Sequence, residues 1–562
     1  MRIATAAALL ALLLALLLAC SPLPGSVAGR APDAYQPQPP QHRGGSLTIA
    51  DFEYPGTLDP LAARTDTELR LSGLVFAPLW TFDDRLRPYP DLVREVPTPE
   101  NGEVRTASGG RSMSVDVKLV QGLRWSDGSP LTADDVLFSL RAMKDPATGA
   151  VAPGGLDRLT GARRVSDTEL TLTFEGVYAP YLELGAALFV LPAHRLASVP
   201  TAQWAEAAFF QRPDVASGPF VVSQASAGTT ILFDANPEYS AGEQTHRRRP
   251  ALDHLAYTVL SGKAAVIAAL RKGDADLAFH LDPDDLPALT GMPSSSSRTY
   301  EGLRDESLAP NHAANSASGV APPWLNDRRV LDALDLALDR SELVRQAQDG
   351  AGQPARGVFP RALSAFVQGT LLSSLPKLDA ARRTLDRAGW TLGGDGVRVK
   401  DGRRLEFSLL TPCESHLAHA TAQMLVAEWQ EVGAAVAATC RPRDAFLKAA
   451  STAAFDMLLA SNGWGPDPGS PSALAAETGG QNTGSCHDEQ LEAAMRRGAD
   501  TLDPAGRRTA YAQAEKEWLA YHCTIPLFEV ASVSQVPVRL HNFAPSPALG
   551  LETWNAADWW IS

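Results

Sequence analysis

Hydrophobic and polar residues alternate along some short segments of this chain and recur at helical spacing along others. Alternation with a period of two predicts β-strands at residues 46–50, 114–119, 169–174 and 229–233. Spacings of three and four predict helices at residues 264–271 and 328–337. Because the two element types are interspersed without a simple βα repeat, the pattern predicts a mixed α/β fold.

One helix begins with a pair of carboxylates. Thr132 precedes Asp134 and Asp135 in the segment that opens this helix. A threonine cap and acids in the first turn favour the positive end of a helix. The two acids therefore have a structural explanation, which we favour over a catalytic role.

Four cysteines outside the N-terminal segment, Cys413, Cys440, Cys486 and Cys523, allow three pairings. Apolar runs at residues 405–410 and 432–438 flank a helix-like segment, and Cys413 and Cys440 follow the two runs. If these runs are neighbouring parallel strands, both cysteines emerge at the same sheet edge. This favours the pairs Cys413–Cys440 and Cys486–Cys523. A redox site is the alternative, but no Cys-x-x-Cys spacing supports it.

The composition is that of a large globular protein. The 562 residues are enough for about three to five domain-sized units. A content of 45% hydrophobic and 20% charged residues excludes global disorder. The net charge of −14, without a long basic block, argues against nucleic acid as a partner.

The N-terminal segment predicts export. Arg2 precedes an apolar run at residues 3–19, which is a signal peptide pattern. The run ends at Leu-Leu-Ala before Cys20, which resembles a bacterial lipobox and implies that Cys20 is a lipid anchor. Residues 20–42 are rich in proline and predict a tether. An uncleaved signal anchor or an ordinary secreted protein is the alternative; in each case the body is extracytoplasmic.

Collinear motifs over about residues 43–545 resemble the extracytoplasmic solute-binding proteins of the peptide and nickel class. The most specific is Leu-Arg-Trp-Ser-Asp-Gly-Ser-Pro-Leu-Thr-Ala-Asp-Asp-Val at residues 123–136. Other matching segments are residues 44–49, 57–60, 88–93, 217–220, 236–239, 273–277, 330–340, 463–471 and 525–528.

The resemblance implies an α/β, two-lobed periplasmic-binding-protein-like fold (type II, large cluster C), with an extra domain inserted in the N-terminal lobe. Two crossovers, near residues 310–316 and 524–530, would join the lobes. The implied divisions are residues 43–75 with 205–312 and 526–562 as lobe I, 76–204 as the inserted domain, and 313–525 as lobe II. Ligand would lie in the cleft and close it by hinge bending.

The resemblance also implies ligand-binding residues in the loop Trp464, Gly465, Pro466 and Asp467. In peptide-binding relatives, the aspartate of this loop pairs with the α-ammonium group of the ligand, and Asp467 is the matching residue. A carboxylate in a water-poor cleft would form a charge-assisted hydrogen bond with such a group. The alternatives are that Asp467 caps a turn and that Trp464, instead of forming a pocket wall, packs in a core.

The residues that would face the carboxyl end of a peptide ligand depart from the family pattern. Dipeptide-binding members carry an arginine in the loop that corresponds to residues 411–416, and none is present here. Longer peptides held through backbone hydrogen bonds, or a non-peptide amine, are therefore the better interpretations. Arg441 and Arg443 could reach the cleft, although solvated surface positions are favoured.

No cofactor, metal or enzymatic chemistry is predicted. Cys413, His416 and His419 have a spacing that a metal could use, but a disulfide at Cys413 would remove the thiolate. The chain lacks a Gly-x-Ser-x-Gly elbow, a phosphate loop, a dinucleotide fingerprint and a His-Glu-x-x-His motif. We therefore expect a binding protein and not an enzyme.

The resemblance implies a monomeric, lipid-anchored receptor that captures a solute, with an oligopeptide as the favoured ligand, and delivers it to an ABC permease in the membrane. The alternative is a lipoprotein of the same fold that binds a non-peptide solute, or that serves envelope assembly or signalling without a permease. The sequence does not separate these interpretations.

Overall fold

The computed structural model describes residues 35–242, 245–313, 322–367, 369, 371–469, 482–548 and 550–562. Residues 37–562 form one compact unit. The predicted signal peptide and the lipid-anchor residue Cys20 lie outside the described residues. Within those residues, no helix combines the length and the apolar character needed to cross a bilayer.

The described helices are distributed along the whole body. In chain order they are α1 Asp66–Val75, α2 Ala133–Lys144, α3 Tyr181–Ala187, α4 Ala193–Leu196, α5 Ala208–Gln211, α6 Lys263–Lys272, α7 Leu286–Leu289, α8 Arg328–Leu336, α9 Arg340–Ala347, α10 Leu378–Arg387, α11 His416–Gln430, α12 Arg443–Ser451, α13 Glu489–Ala499 and α14 Pro504–Tyr521.

The described strands alternate with these helices. They are β1 Ser46–Asp51, β2 Trp80–Phe82, β3 Pro88–Pro90, β4 Val104–Thr106, β5 Ser112–Lys118, β6 Leu159–Ser166, β7 Glu169–Glu175, β8 Phe220–Ser226, β9 Thr230–Ala235, β10 His254–Val259, β11 Ala278–Leu281, β12 Ser295–Pro310, β13 Gln353–Pro354, β14 Thr391–Leu392, β15 Arg398–Lys400, β16 Arg403–Arg404, β17 Glu406–Pro412, β18 Ala435–Arg441, β19 Met457–Gly463, β20 Ile525–Pro537, β21 Leu540–His541 and β22 Trp560–Ile561. The mixed α/β class is confirmed.

Each strand and helix predicted from periodicity is present, within a few residues of its predicted ends. The predicted strands correspond to β1, β5, β7 and β9, and the predicted helices to α6 and α8. Thr132 caps α2: its side chain accepts a hydrogen bond from the Asp134 N–H, and Asp135 closes a capping box. The structural explanation for these acids therefore has direct support.

A seven-stranded sheet forms the centre of the body. Its strands lie in the order β11-β20-β12-β19-β17-β18, and β13 pairs with β20. The two long strands β12 and β20 are antiparallel partners over most of their length. Their register shifts between Glu301 and Asp305, so residues 302–304 form a bulge. Two four-stranded sheets, β1-β10-β9-β8 and β4-β5-β7-β6, lie outside this central sheet.

The predicted βαβ unit is present as β17, α11 and β18, with the two strands parallel. A disulfide joins Cys413 to Cys440, with 4.9 Å between their Cα atoms, at the ends of these strands. A second disulfide joins Cys486 to Cys523, with 5.2 Å between Cα atoms. These are the pairings that the sequence favours.

The apolar core is divided into several clusters. The largest combines residues between 47 and 279 with residues 536–559. It therefore includes residues assigned from the resemblance to both lobe I and the inserted domain. A second cluster runs from Leu308 to Val530 around the central sheet. A third contains Trp464, Tyr511 and Trp518 and lies beneath the predicted ligand loop. The proposed domain boundaries stay predictions.

Candidate functional site

The predicted ligand loop follows strand β19 in the middle of the central sheet. This strand pairs with β12 on one side, from Arg304 opposite Gly463 to Pro310 opposite Met457, and with β17 on the other. Beyond the strand, the Trp464 N–H donates to the Leu303 carbonyl at 2.8 Å. The loop is therefore attached to the bulge of β12.

Trp464 is packed as a core residue. Its side chain is buried, and its ring centroid lies 5.1 Å from that of Phe359 and 6.0 Å from that of Trp518. The indole Nε1 donates to Oδ1 of Asp305 at 2.5 Å. Of the two interpretations left open by the sequence, core packing has direct contacts in the structure, and the role as a pocket wall stays a prediction. Gly465 and Pro466 are half-buried in the same loop.

A polar network lies beneath this tryptophan. Asp305 also accepts a hydrogen bond from Asn462 Nδ2 at 3.2 Å, and the same amide donates to Ser307 Oγ at 2.6 Å. Burial raises the pKa of Asp305 to about 7, although the bonds from Trp464 and Asn462 act in the opposite direction. Burial also raises the pKa of the neighbouring Glu306 to about 7. Two buried acids thus directly follow the bulge at which the long strands change register.

Asp467 is paired with an arginine of the protein itself. Nη2 of Arg507 lies 2.7 Å from both Oδ1 and Oδ2 of Asp467. The Gly469 N–H donates to Oδ1 at 2.8 Å, and the Tyr511 hydroxyl lies 3.4 Å from the same oxygen. Asp467 is 6% exposed and Arg507 is 8% exposed. The carboxylate therefore caps a turn and closes a buried ion pair, while its pairing with a ligand ammonium stays a prediction.

Arg507 is fixed by contacts of its own. Its Nε donates to the Gly498 carbonyl at 2.9 Å, and its Nη2 also donates to the Tyr511 hydroxyl at 3.0 Å. The guanidinium carbon lies 4.8 Å from the ring centroid of Phe366 and 5.4 Å from that of Tyr511. These distances are those of cation–π contacts. Helix α14, capped by Asp503, thus presents this arginine to the loop.

Residues from the N-terminal half of the chain reach the same loop. The Asp467 N–H donates to Oε1 of Glu183 at 2.9 Å. Nearby, the Ala179 N–H donates to the Ala499 carbonyl at 2.8 Å. The loop is therefore the meeting point of residues 179–183, 464–469 and 499–511.

Tyr178 adds a buried hydroxyl to this region. It is 3% exposed, and within the described ranges its hydroxyl has no hydrogen-bond partner. Burial raises its pKa well above the usual range, and the carboxylates of Glu183 and Asp467 add to this effect. The hydroxyl therefore keeps its proton and remains a neutral donor.

A separate groove of about 160 Å³ lies where β12 and β20 pair. It is lined by residues 299–302, 351–353 and 529–531. Glu529 accepts hydrogen bonds from the backbone N–H of Arg361 at 3.1 Å and from its Nε at 3.2 Å. Burial raises the pKa of Glu529 to about 7 despite this pairing. The groove is next to the bulge and thus near the predicted ligand loop.

The remaining predicted candidates are elsewhere. His416, His419, Arg441 and Arg443 are exposed, and Cys413 is in a disulfide. Its thiolate is therefore not available beside the two histidines. The exposure of the two arginines agrees with the solvated positions that the sequence favours.

Sequence reasoning missed Arg507, Tyr511, Glu183 and Asp305. One feature of the sequence could have revealed Arg507. Pro504 begins helix α14 after the Asp503 cap, so Arg507 lies in the first turn, where a cation is unfavourable to the helix dipole. A buried carboxylate partner compensates for that position. Asp305 and Glu306 occupy buried positions of β12, but the strand is polar along most of its sequence, so no local pattern marks these two acids.

Comparison with known proteins places the chain in a family. The model of the bacterial extracellular solute-binding proteins, family 5 (middle region), matches residues 112–485. Protein XP55 of Streptomyces lividans is 27% identical over 485 residues, which cover 84% of this chain and 82% of that protein.

Solved structures show the same fold. The oligopeptide-binding protein AppA from Bacillus subtilis, in complex with a nonapeptide, aligns with a TM-score of 0.71 and 21% identity, covering 94% of this chain and 100% of that chain. NikA from Brucella suis, in complex with Fe(III)-EDTA, aligns with a TM-score of 0.76 and 17% identity, covering 92% of this chain and 100% of that chain. These likenesses support the two-lobed fold. The chain belongs to the bacterial extracellular solute-binding proteins of family 5.

Proposed function

We propose that this protein is an extracytoplasmic receptor that binds an oligopeptide between two lobes and delivers it to an ABC importer. The lobes would be those given above: residues 43–75, 205–312 and 526–562 in lobe I with 76–204 inserted, and 313–525 in lobe II. The cores support this division in part, because the cluster from Leu308 to Val530 is separate from the largest cluster.

The observation that carries the proposal is the position of the loop that contains Trp464 and Asp467. The loop belongs to lobe II, where Asp467 pairs with Arg507, and the Asp467 N–H reaches across to Glu183 of the inserted domain. A loop at such a junction is suited to line a cleft between lobes. The nonapeptide in the structure of Bacillus subtilis AppA supports an oligopeptide as the ligand.

The membrane attachment belongs to the same proposal. A lipid on Cys20 and the tether of residues 20–42 would hold the body near a permease. Growth with a radiolabelled fatty acid should label the wild-type protein but not Cys20→Ala. Equal labelling of both proteins would contradict the anchor and leave the binding function untouched.

Peptide binding can be tested with the full chain, extracted in mild detergent. The probe is a degenerate hexapeptide library, and native mass spectrometry after gel filtration measures retained masses. We expect a ladder of bound masses in the hexapeptide range. Retention of no library member would contradict the oligopeptide proposal and favour a non-peptide solute or a role without a permease.

Hydrogen exchange with and without the library locates the binding. We expect slower exchange at residues 463–469, because a ligand in the cleft would cover this loop. The strands β14, β15 and β16 form a small sheet that no part of the proposed cleft includes, so they serve as the internal control. Protection confined to that sheet would contradict the assignment of the loop.

A further inference from the structure

The carboxylate of Asp467 is already neutralised inside the protein. A single nitrogen of Arg507 bonds both carboxylate oxygens, and the Gly469 N–H and the Tyr511 hydroxyl complete the set. Both residues are buried, with 10% of the Arg507 side chain and 7% of the Asp467 side chain exposed. A buried carboxylate requires a compensating charge, and here Arg507 supplies it. The pair therefore satisfies itself without a ligand.

The arginine is also held in place independently of the carboxylate. The Gly498 carbonyl accepts from its Nε, and the rings of Phe366 and Tyr511 lie within cation–π distance. If a ligand displaced Arg507, all of these contacts would be lost together with the ion pair. An ammonium placed beside Asp467 would instead lie close to the guanidinium, and repulsion between the cations would oppose the attraction of the carboxylate.

Among the residues that the structure describes, the other groups that face Asp467 are Glu183, Tyr178 and Tyr511. Glu183 accepts a hydrogen bond from the Asp467 backbone N–H. The Tyr511 hydroxyl accepts a hydrogen bond from Arg507 and donates one to Asp467. Tyr178 is a buried neutral donor. Glu183 is thus the one further carboxylate among these groups, and its role can be separated by experiment.

We propose that Arg507 acts as an internal counter-ion to Asp467, so that the receptor accepts peptides whose amino end carries no charge. Such peptides are acylated, cyclised or blocked at the amino terminus. This inference rests on the proposed function, and it departs from the ammonium-binding role that the family resemblance implies for Asp467. Arg507 is a specificity-determining residue in this account.

The first test compares two forms of one probe on the wild-type full chain. A degenerate hexapeptide library is synthesised with free and with acetylated amino termini, and retention is measured by native mass spectrometry. We expect retention of the acetylated form to equal or exceed that of the free form. A tenfold or greater preference for the free amine overturns the inference, whichever carboxylate causes it, and leaves the peptide receptor intact. Retention of neither form overturns the proposed function as well.

The second test removes the counter-ion. In Arg507→Met, Asp467 is left with an uncompensated charge, so we expect a new preference of at least tenfold for the free-amine library. Arg508→Met is the matched control, since Arg508 is the exposed neighbour on the same helix, and it should retain the wild-type ratio. The double variant Asp467→Asn/Arg507→Met should lose the new preference.

The variants also separate Asp467 from Glu183. If Arg507→Met gains a preference that Glu183→Gln abolishes in the same background while Asp467→Asn does not, the counter-ion assignment is wrong. If Arg507→Met does not fold, the wild-type ratio of acetylated to free library decides the question alone. An unchanged ratio in a folded Arg507→Met protein likewise contradicts the inference.

Discussion

Two buried arginines, Arg70 and Arg507, are built alike but differ in the charge around them. The guanidinium carbon of Arg70 lies 4.7 Å from the ring centroid of Phe279, and its Nε and Nη2 bond Glu552 at 3.0 and 3.2 Å. Asp51 is a second carboxylate, 3.8 Å from Nη1. Arg507 also contacts aromatic rings but pairs with the single carboxylate of Asp467.

The ion pair in the ligand loop therefore has the same kinds of contact, a buried carboxylate and an aromatic ring, as an ion pair inside a core. Arg70 connects helix α1 to the C-terminal segment, where it has a structural role. Arg507 uses the same chemistry at the junction of the proposed lobes. The difference is that a single change at Asp467 can neutralise the partner of Arg507, whereas Arg70 faces two acids. The two sites should therefore respond differently to matched variants.

Arg70→Met should have the largest effect on stability. It leaves Asp51 and Glu552 without their cation in a buried site, which typically costs about 3–5 kcal/mol. Urea unfolding of the full chain measures the free energy of unfolding. Arg64→Met, an exposed change just before the same helix, should cost no more than about 0.5 kcal/mol. Equal losses in the two variants would show that the Arg70 cluster is not a structural anchor.

Arg507→Met should lower the free energy of unfolding by about 3 kcal/mol, and Asp467→Asn should restore at least half of that loss in the double variant. At the other site, Glu552→Gln should restore less of the loss in Arg70→Met, because Asp51 remains charged. A double-mutant cycle at each site measures these couplings. Equal recovery at both would remove the distinction between one and two acidic partners.

Stability should fall as the pH rises from about 4 to about 7. Burial raises the pKa values of Asp305 and Glu306 to about 7 in the folded state, above their unfolded values, so the native protein binds more protons than the unfolded chain across this range. Each group contributes a slope of at most about −1.4 kcal/mol per pH unit. Asp305→Asn should flatten the slope measured by urea unfolding. A slope equal to that of the wild type would contradict the raised pKa.

Trp464→Phe should have the smallest of these effects, about 1–3 kcal/mol. It removes the indole donor to Asp305 and keeps most of the ring packing. Trp554→Phe is the comparison, since its Nε1 donates to a backbone carbonyl, that of Ala544, instead of to a buried acid. Thermal unfolding of both variants gives the difference. A loss below about 0.5 kcal/mol for Trp464→Phe would show that Asp305 does not need this donor.

Strands and helices with strong hydrophobic periodicity could be predicted from the sequence. Contacts between segments that are distant along the chain could not. The βαβ unit with Cys413 and Cys440 followed from two apolar runs and the geometry of parallel strands. Strand β12 was not predicted, because its first half, Ser-Ser-Ser-Arg-Thr-Tyr-Glu, is polar and without alternation. Its pairing with β20 across more than two hundred residues determines its structure.

The candidate site shows the same limit. The loop with Trp464 and Asp467 could be selected from a local motif. Its partner Arg507 is 40 residues away, and only the packing of α14 against the loop brings the two together. The position of that arginine in the first helical turn was the local sign that another charge compensates it.

The ratio in which the wild-type protein retains acetylated and free-amine hexapeptides tests the central claim most directly. The internal pair of Arg507 and Asp467 predicts that acetylation of the amino terminus leaves affinity unchanged within about threefold or improves it. A loss of tenfold or more on acetylation would contradict that claim, because it would show that the receptor selects a charged amino terminus despite the internal ion pair.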